Sequence, residues 1–131
     1  MTSEEEAVEA LDEFIAALAA ARTEMRRTEQ FLQDVRQRVT DGEAVESLIA
    51  SKPPAKLRQA FADTFDELNR SRHQARQKVF ALAVDRGVSI ADQGRAWGFS
   101  RQLAARYVNE VAGTTRMVDA GSRLDEVPTG Q

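Results

Sequence analysis

From Ser3 to Asp41 the chain runs without a proline or a glycine, and alanine, glutamate, leucine, arginine and glutamine fill most of the positions. These side chains lose little freedom on entering a helix, so one continuous helix of about 55–60 Å is expected. Leu11, Leu18, Met25, Leu32 and Val39 fall seven apart, and Ala7, Phe14, Ala21, Thr28 and Val35 supply the matching second position of each heptad. Taken as a and d positions they form an apolar seam of about five heptads. A helix of that length cannot be buried by one small domain, so the seam needs a partner: another copy of the chain, or the helix that follows. The candidate dimerisation residues are Leu11, Phe14, Leu18, Met25, Leu32, Val35 and Val39. In a parallel pair Glu24 would face Glu29 of the other copy, a mildly destabilising like-charge contact. The small residues Ala21 and Thr28 permit close approach of two helices. Both features lean towards an antiparallel pairing or a bundle.

Asp41-Gly42 ends this helix, with Gly42 suited to the position just past a helix C-terminus. Residues 43–51 hold Ala44, Val45, Leu48 and Ile49 and suit a short helical turn. Ser51-Lys-Pro-Pro54 then breaks the chain, which sets 1–51 apart as a long-helix dimerisation region. No breaker interrupts residues 55–86, where Leu57, Phe61, Phe65 and Leu68 recur with helical period and the pattern continues through Ala75, Val79, Leu82 and Ala83. This is one helix of about thirty residues, or two with a bend near Asn69-Arg70-Ser71. Residues 52–71 are a connecting helix whose phenylalanines would pack on the first helix. The remainder begins a separate unit over 72–112.

The net charge of −3 is unevenly spread. Residues 1–50 carry 5 arginines against 12 acids, a balance of −7, whereas residues 51–113 carry 11 basic residues against 6 acids, a balance of +5. One part of the chain repels phosphate and the other attracts it, the asymmetry expected of a binding module joined to an assembly element. Arg70, Arg72, Arg76 and Lys78 cluster in the basic part, and Arg76 and Lys78 are candidate phosphate contacts. There is no cysteine, and His73 is the only histidine, so no recognisable zinc site or nucleophile and base arrangement can be assembled. The acidic run Glu4-Glu-Glu6 suits the positive end of a helix dipole and needs no catalytic role. No enzyme activity and no cofactor are expected. The N-terminus is acidic and no apolar run approaches the length of a membrane span, so the expectation is a cytoplasmic, nucleoid-associated protein without membrane contact.

The densest local signals lie between Val88 and Asn109. Ser89 can cap a helix over Ile90–Trp97, Gly98 can take the positive φ needed to leave it, and Phe99 can bury the corner. Ser100 repeats the capping chemistry and opens a second helix. Leu103, Ala104, Tyr107, Val108 and Val111 mark its inner face, while Gln102, Ala105, Arg106 and Asn109 recur on the other side with Arg101 at the leading end. This stretch, Ser-Ile-Ala…Gly…Trp-Gly-Phe-Ser-Arg-Gln, resembles the helix-turn-helix DNA-binding motif, most closely the trihelical variety of bacterial and phage regulators, resolvases and sigma-factor DNA-binding domains. The resemblance rests on Gly94, Trp97, Gly98, Phe99, Ala104 and Tyr107, and spans about a sixth of the chain. Gln93 departs from it, standing where an aliphatic residue is usual.

The resemblance implies that the helix opened by Ser100 enters the major groove of double-stranded DNA. Arg101 and Arg106 would then pair with guanine edges, Gln102 or Asn109 with adenine, with Ala105 on the same face. Ser89, Ser100 and Arg95 would hold phosphates. The fold expected is all-α, with long N-terminal coiled-coil or bundle helices followed by a C-terminal trihelical helix-turn-helix and a flexible tail over 113–131. The expected function is sequence-specific DNA binding by a dimeric small transcriptional regulator. The alternatives are a protein-interaction adaptor of anti-sigma or partition type, and a nucleoid or recombination accessory DNA-binding factor.

Overall fold

A computed structural model describes residues 1–100 and 102–110, and over these the chain is all-α, without strands. Helix α1 spans Ser3–Thr40, α2 Val45–Ser51, α3 Pro54–Asp85 and α4 Ile90–Trp97; a fifth helix, α5, covers residues 102–110. Arg101, Val111 and the expected tail over 113–131 lie outside the described residues. No helix among the described residues is long and apolar enough to cross a membrane.

The helix ends follow from local chemistry. Thr2 and Glu5 form a reciprocal capping box: Thr2 Oγ1 accepts from the Glu5 N–H at 3.1 Å and Glu5 Oε1 accepts from the Thr2 N–H at 3.2 Å. α1 closes at Gly42, whose φ of 82° lets its N–H reach the Val39 carbonyl while the Glu43 N–H reaches that of Arg38. Pro54 opens α3 in the first turn, where its missing N–H costs nothing. α3 is a single helix of 32 residues, uninterrupted at Asn69-Arg70-Ser71.

The chain divides into two compact units, one of Val8–Ala75 and the other of Met1–Ala7 with the residues from Arg76 onward. In the Val8–Ala75 unit α1 and α3 run antiparallel: Glu13 acts electrostatically on Arg70, while Met25 and Leu32 share a groove with Phe61 further back along α3. The face of α1 turned inward carries Ala10, Phe14, Ala17, Ala21, Glu24, Thr28, Phe31 and Val35, all buried or half-buried, and α3 contributes the buried Ser71 and Ala75. Small side chains at these places let the two backbones approach closely. α2 seats Leu48 in the interior, and Lys52 beyond it pairs with Asp34 at 3.1 Å and lies 4.9 Å from the centre of the Phe31 ring. Arg38 joins Glu43 at 2.7 Å, and this ion pair holds the Glu43 carboxyl below its usual range.

The seam expected from the heptads is thus divided. Phe14 and Val35 turn inward, but Leu11, Leu18, Met25, Leu32 and Val39 do not; together with Val8 and Ile15 they form a stripe in which every side chain is 39–62 % exposed. Glu24, expected at the flank of an intermolecular seam, is instead buried in the inward face.

Candidate nucleic-acid interface

The second unit is built on the tail of α3, α4 and α5. Phe80 of α3 is fully buried against Ala104 and Tyr107 of α5, with Phe99, Leu103 and Val108 packed around them. The aromatic rings form a row: Trp97 stacks on Phe99 with centroids 5.9 Å apart, Phe99 on Tyr107 at 5.3 Å, and Tyr107 on Phe80 at 5.6 Å. Offset ring pairs at such distances add to the burial of their area.

The connections are tight. α3 stops at Gly87, and Ser89 caps α4 by accepting from the Asp92 N–H at 3.1 Å. α4 ends at Gly98, which has φ 74° and donates to Arg95, while Phe99 donates to the Gly94 carbonyl at 2.7 Å. Only a residue free of a β-carbon adopts this left-handed conformation at little expense. Ser100 then caps α5 by accepting from the Leu103 N–H at 3.1 Å. Gly94 has a different reason to be small: a β-carbon there would lie 3.3 Å from the Ala104 β-carbon and 3.5 Å from the Phe99 carbonyl oxygen. α4 and α5 touch at that point.

With Ala104 and Tyr107 turned inward, helical geometry turns the other side of α5 to solvent. Gln102, Arg106 and Asn109 are exposed and Ala105 is half-buried between them. Ser89, Ser100 and Arg95 are also exposed, although Arg95 pairs with Asp92 one turn away. The structure therefore brings Ser100, Gln102, Ala105, Arg106 and Asn109 to one helix. Arg101, expected at its leading end, lies outside the described residues.

Arg76 and Lys78 are occupied within the unit. The Arg76 guanidinium donates to the Tyr107 hydroxyl at 2.6 Å and lies 5.3 and 5.6 Å from the centres of the Phe99 and Tyr107 rings. This is a stacking and cation–π arrangement that closes one side of the aromatic row. Lys78 pairs with Glu6 at 2.9 Å, Arg86 with Glu4 at 2.5 Å, and the Ser3 hydroxyl donates to Asp85. The first turn of α1 is thereby fixed to the end of α3, and Lys78 holds the Glu6 carboxyl below its usual range through a hydrogen bond and its charge. In the other unit Arg70 is held by Glu67 at 2.5 Å, and Arg72 is exposed.

Gln77 is a packing residue that sequence reasoning missed. It donates to Glu110 at 2.9 Å and ties α3 to α5; a separation of 33 positions leaves no local pattern to reveal it. Gln93 is 3 % exposed, as a core position requires. Its amide makes a long 3.5 Å bond to the Val88 carbonyl, and its Oε1 has no partner among the described residues.

No protein-family model matches the chain, and comparison with curated proteins and with solved structures returns no significant match.

Proposed function

We propose that the α3 tail, α4 and α5 act as a trihelical helix-turn-helix that binds double-stranded DNA, with α5 as the helix that reads the major groove. The observation that carries this is the exposed row Gln102, Arg106 and Asn109 on a helix whose opposite side is locked onto Phe80. A rigid helix presenting amides and a guanidinium matches what base edges display: Arg106 suits the two acceptors of guanine, Gln102 or Asn109 the donor and acceptor of adenine. The Ser89 and Ser100 hydroxyls, at the starts of α4 and α5, suit phosphate contacts. One unit of this size makes few base contacts, so two copies joined through their long helices would read two half-sites about 34–36 Å apart, or a multiple of that, and combine their affinities. The protein would then be a non-enzymatic, dimeric transcriptional regulator acting at the nucleoid.

The exposed apolar stripe of α1 favours a second reading, an adaptor that docks a protein on its long helix. Capture and sequencing of fragmented genomic DNA at moderate salt, with a Gln102→Ala/Arg106→Ala variant in parallel, separates the two. A few sites sharing an inverted repeat, lost in the variant and weakened by added salt through counterion release, support the regulator. Recovery of nothing above background supports the adaptor.

A further inference from the structure

We infer that a second copy of the chain covers the stripe Val8–Val39, with the two α1 helices antiparallel. This rests on the proposal that two copies associate, and it names a face of α1 different from the one that packs on α3.

The stripe is itself a heptad seam. Residues 8, 11, 15, 18, 22, 25, 29, 32, 36 and 39 are spaced alternately three and four apart, and the positions not filled by aliphatic side chains are Arg22, Glu29 and Arg36. Such spacing is what a helix presents to another helix packed along its length. The inward face of α1 follows the same spacing and is already covered within the chain, which leaves this one largely exposed, with Phe61 of α3 beside it at Met25 and Leu32. Its seven apolar side chains offer on the order of 600 Å² per copy, at the upper end of what monomers ordinarily leave in water, and about 1,200 Å² from two, at the lower edge of specific interfaces. Between Met25, Leu32 and Phe61 the stripe deepens into an open groove of ≈ 370 Å³.

The charges choose both the occupant and its direction. Arg22, Glu29 and Arg36 form no ion pair among the described residues. In a parallel, in-register pair each would meet its own copy, which makes three like-charge contacts within an apolar seam. In the antiparallel register that overlaps the whole stripe, Val8 of one copy meets Val39 of the other and Ile15 meets Leu32. Leu11 lies opposite Arg36, Leu18 opposite Glu29 and Arg22 opposite Met25. No like charges then sit directly opposite each other. Arg22 of each copy lies about 4.5 Å along the axis from its own counterpart and one turn, about 6 Å, from Glu29 of the other, so the one close like-charge approach is flanked on both sides by an opposite charge. Long side chains span that offset, so the two-fold axis generates two Arg22–Glu29 pairs. Leu18 and Ile15 of the second copy fall beside the groove at Met25 and Leu32.

The test uses the full chain, in which an introduced cysteine is the only thiol. Sedimentation at micromolar concentration should show a dimer. Leu18→Glu should weaken association by about 100-fold without changing helix content, because the residue is exposed in the single chain. Arg22→Glu should weaken it by about 10-fold, and Arg22→Glu/Glu29→Arg should restore it. Under mild oxidation a mixture of Val8→Cys and Val39→Cys proteins should form a cross-linked heterodimer, while Val8→Cys alone should not cross-link. A monomeric wild type overturns both the interface and the proposed association; a dimer indifferent to Leu18→Glu, or one that cross-links Val8→Cys to itself, overturns the antiparallel stripe alone. Capture by the stripe of an unrelated protein in place of the second copy also overturns it. DNA binding is scored separately on a single half-site with the Leu18→Glu monomer, so its loss strikes the nucleic-acid reading and leaves the interface standing.

Discussion

Gln93 and Gly94 show how two adjacent residues can answer to different constraints. The position of Gln93 belongs to the core, yet its amide oxygen has no partner among the described residues and its one bond is long. A buried polar atom left unpaired costs about 1–3 kcal/mol. Gln93→Leu removes that cost and keeps the volume, so chemical denaturation should show a gain of about 1 kcal/mol. Gly94→Val does the reverse, forcing carbon into a contact already at 3.3 Å, and should lose about 1–3 kcal/mol by overpacking, read as a fall in the thermal midpoint. Arg106 is exposed and unneeded by the fold, so Arg106→Ala should leave stability unchanged while costing about 1–3 kcal/mol in binding to a preferred DNA site, measured by titration. The sequence pointed to both capping serines and to Gly98 because those signals are local. It showed that Gly94 is small but not why, since the reason is the Ala104 side chain ten residues on.

At the scale of the element, α1 has one period and two faces. The spacing of seven was legible from the large residues Leu11, Leu18, Met25, Leu32 and Val39, but the face that packs within the chain is marked by Ala10, Ala17, Ala21 and Glu24. Apolar size alone picks out the leucines, whereas closely packed helices select alanine because the backbones must approach. A single large side chain then distinguishes the faces. Ala17→Leu should destabilise the chain by about 1–3 kcal/mol in urea denaturation, and Leu18→Gln, one residue on, should change the stability of the single chain by no more than about 0.5 kcal/mol. The helix ends were legible almost to the residue at Gly42, Gly87 and Gly98. The capping box of Thr2 and Glu5 is equally local, but three consecutive glutamates already suit the positive end of the helix dipole, and nothing in their pattern singles out Glu5 as the one that reaches back to Thr2.

Across the whole molecule the acidic N-terminal part and the basic remainder meet in the ion pairs Glu4–Arg86, Glu6–Lys78 and Asp34–Lys52, and other pairs form within each part. Glu6 with Lys78, Glu43 with Arg38 and Glu67 with Arg70 are carboxylates held below the ordinary glutamate value of 4.5 by their partners. A carboxyl whose folded pKa is depressed contributes stability that is fully present above its unfolded value and is lost as the pH falls through the folded one. The thermal midpoint should therefore hold from neutrality down to about pH 5 and fall below 4.5; a Glu6→Gln/Glu43→Gln/Glu67→Gln variant should flatten that decline, by a modest amount because the pairs are solvent-accessible. The division of charge along the chain was legible by counting. The use of Lys78 and Arg76 within the protein was not, because Glu6 and Tyr107 are distant in sequence and only folding brings them near. The one tryptophan of the chain stands at the corner between α4 and α5, 41 % exposed and stacked on Phe99. Its fluorescence is therefore an intrinsic, label-free signal from that corner alone, and the wavelength and quenching of its emission will register a ligand or a loosening there while the long helices remain spectroscopically silent.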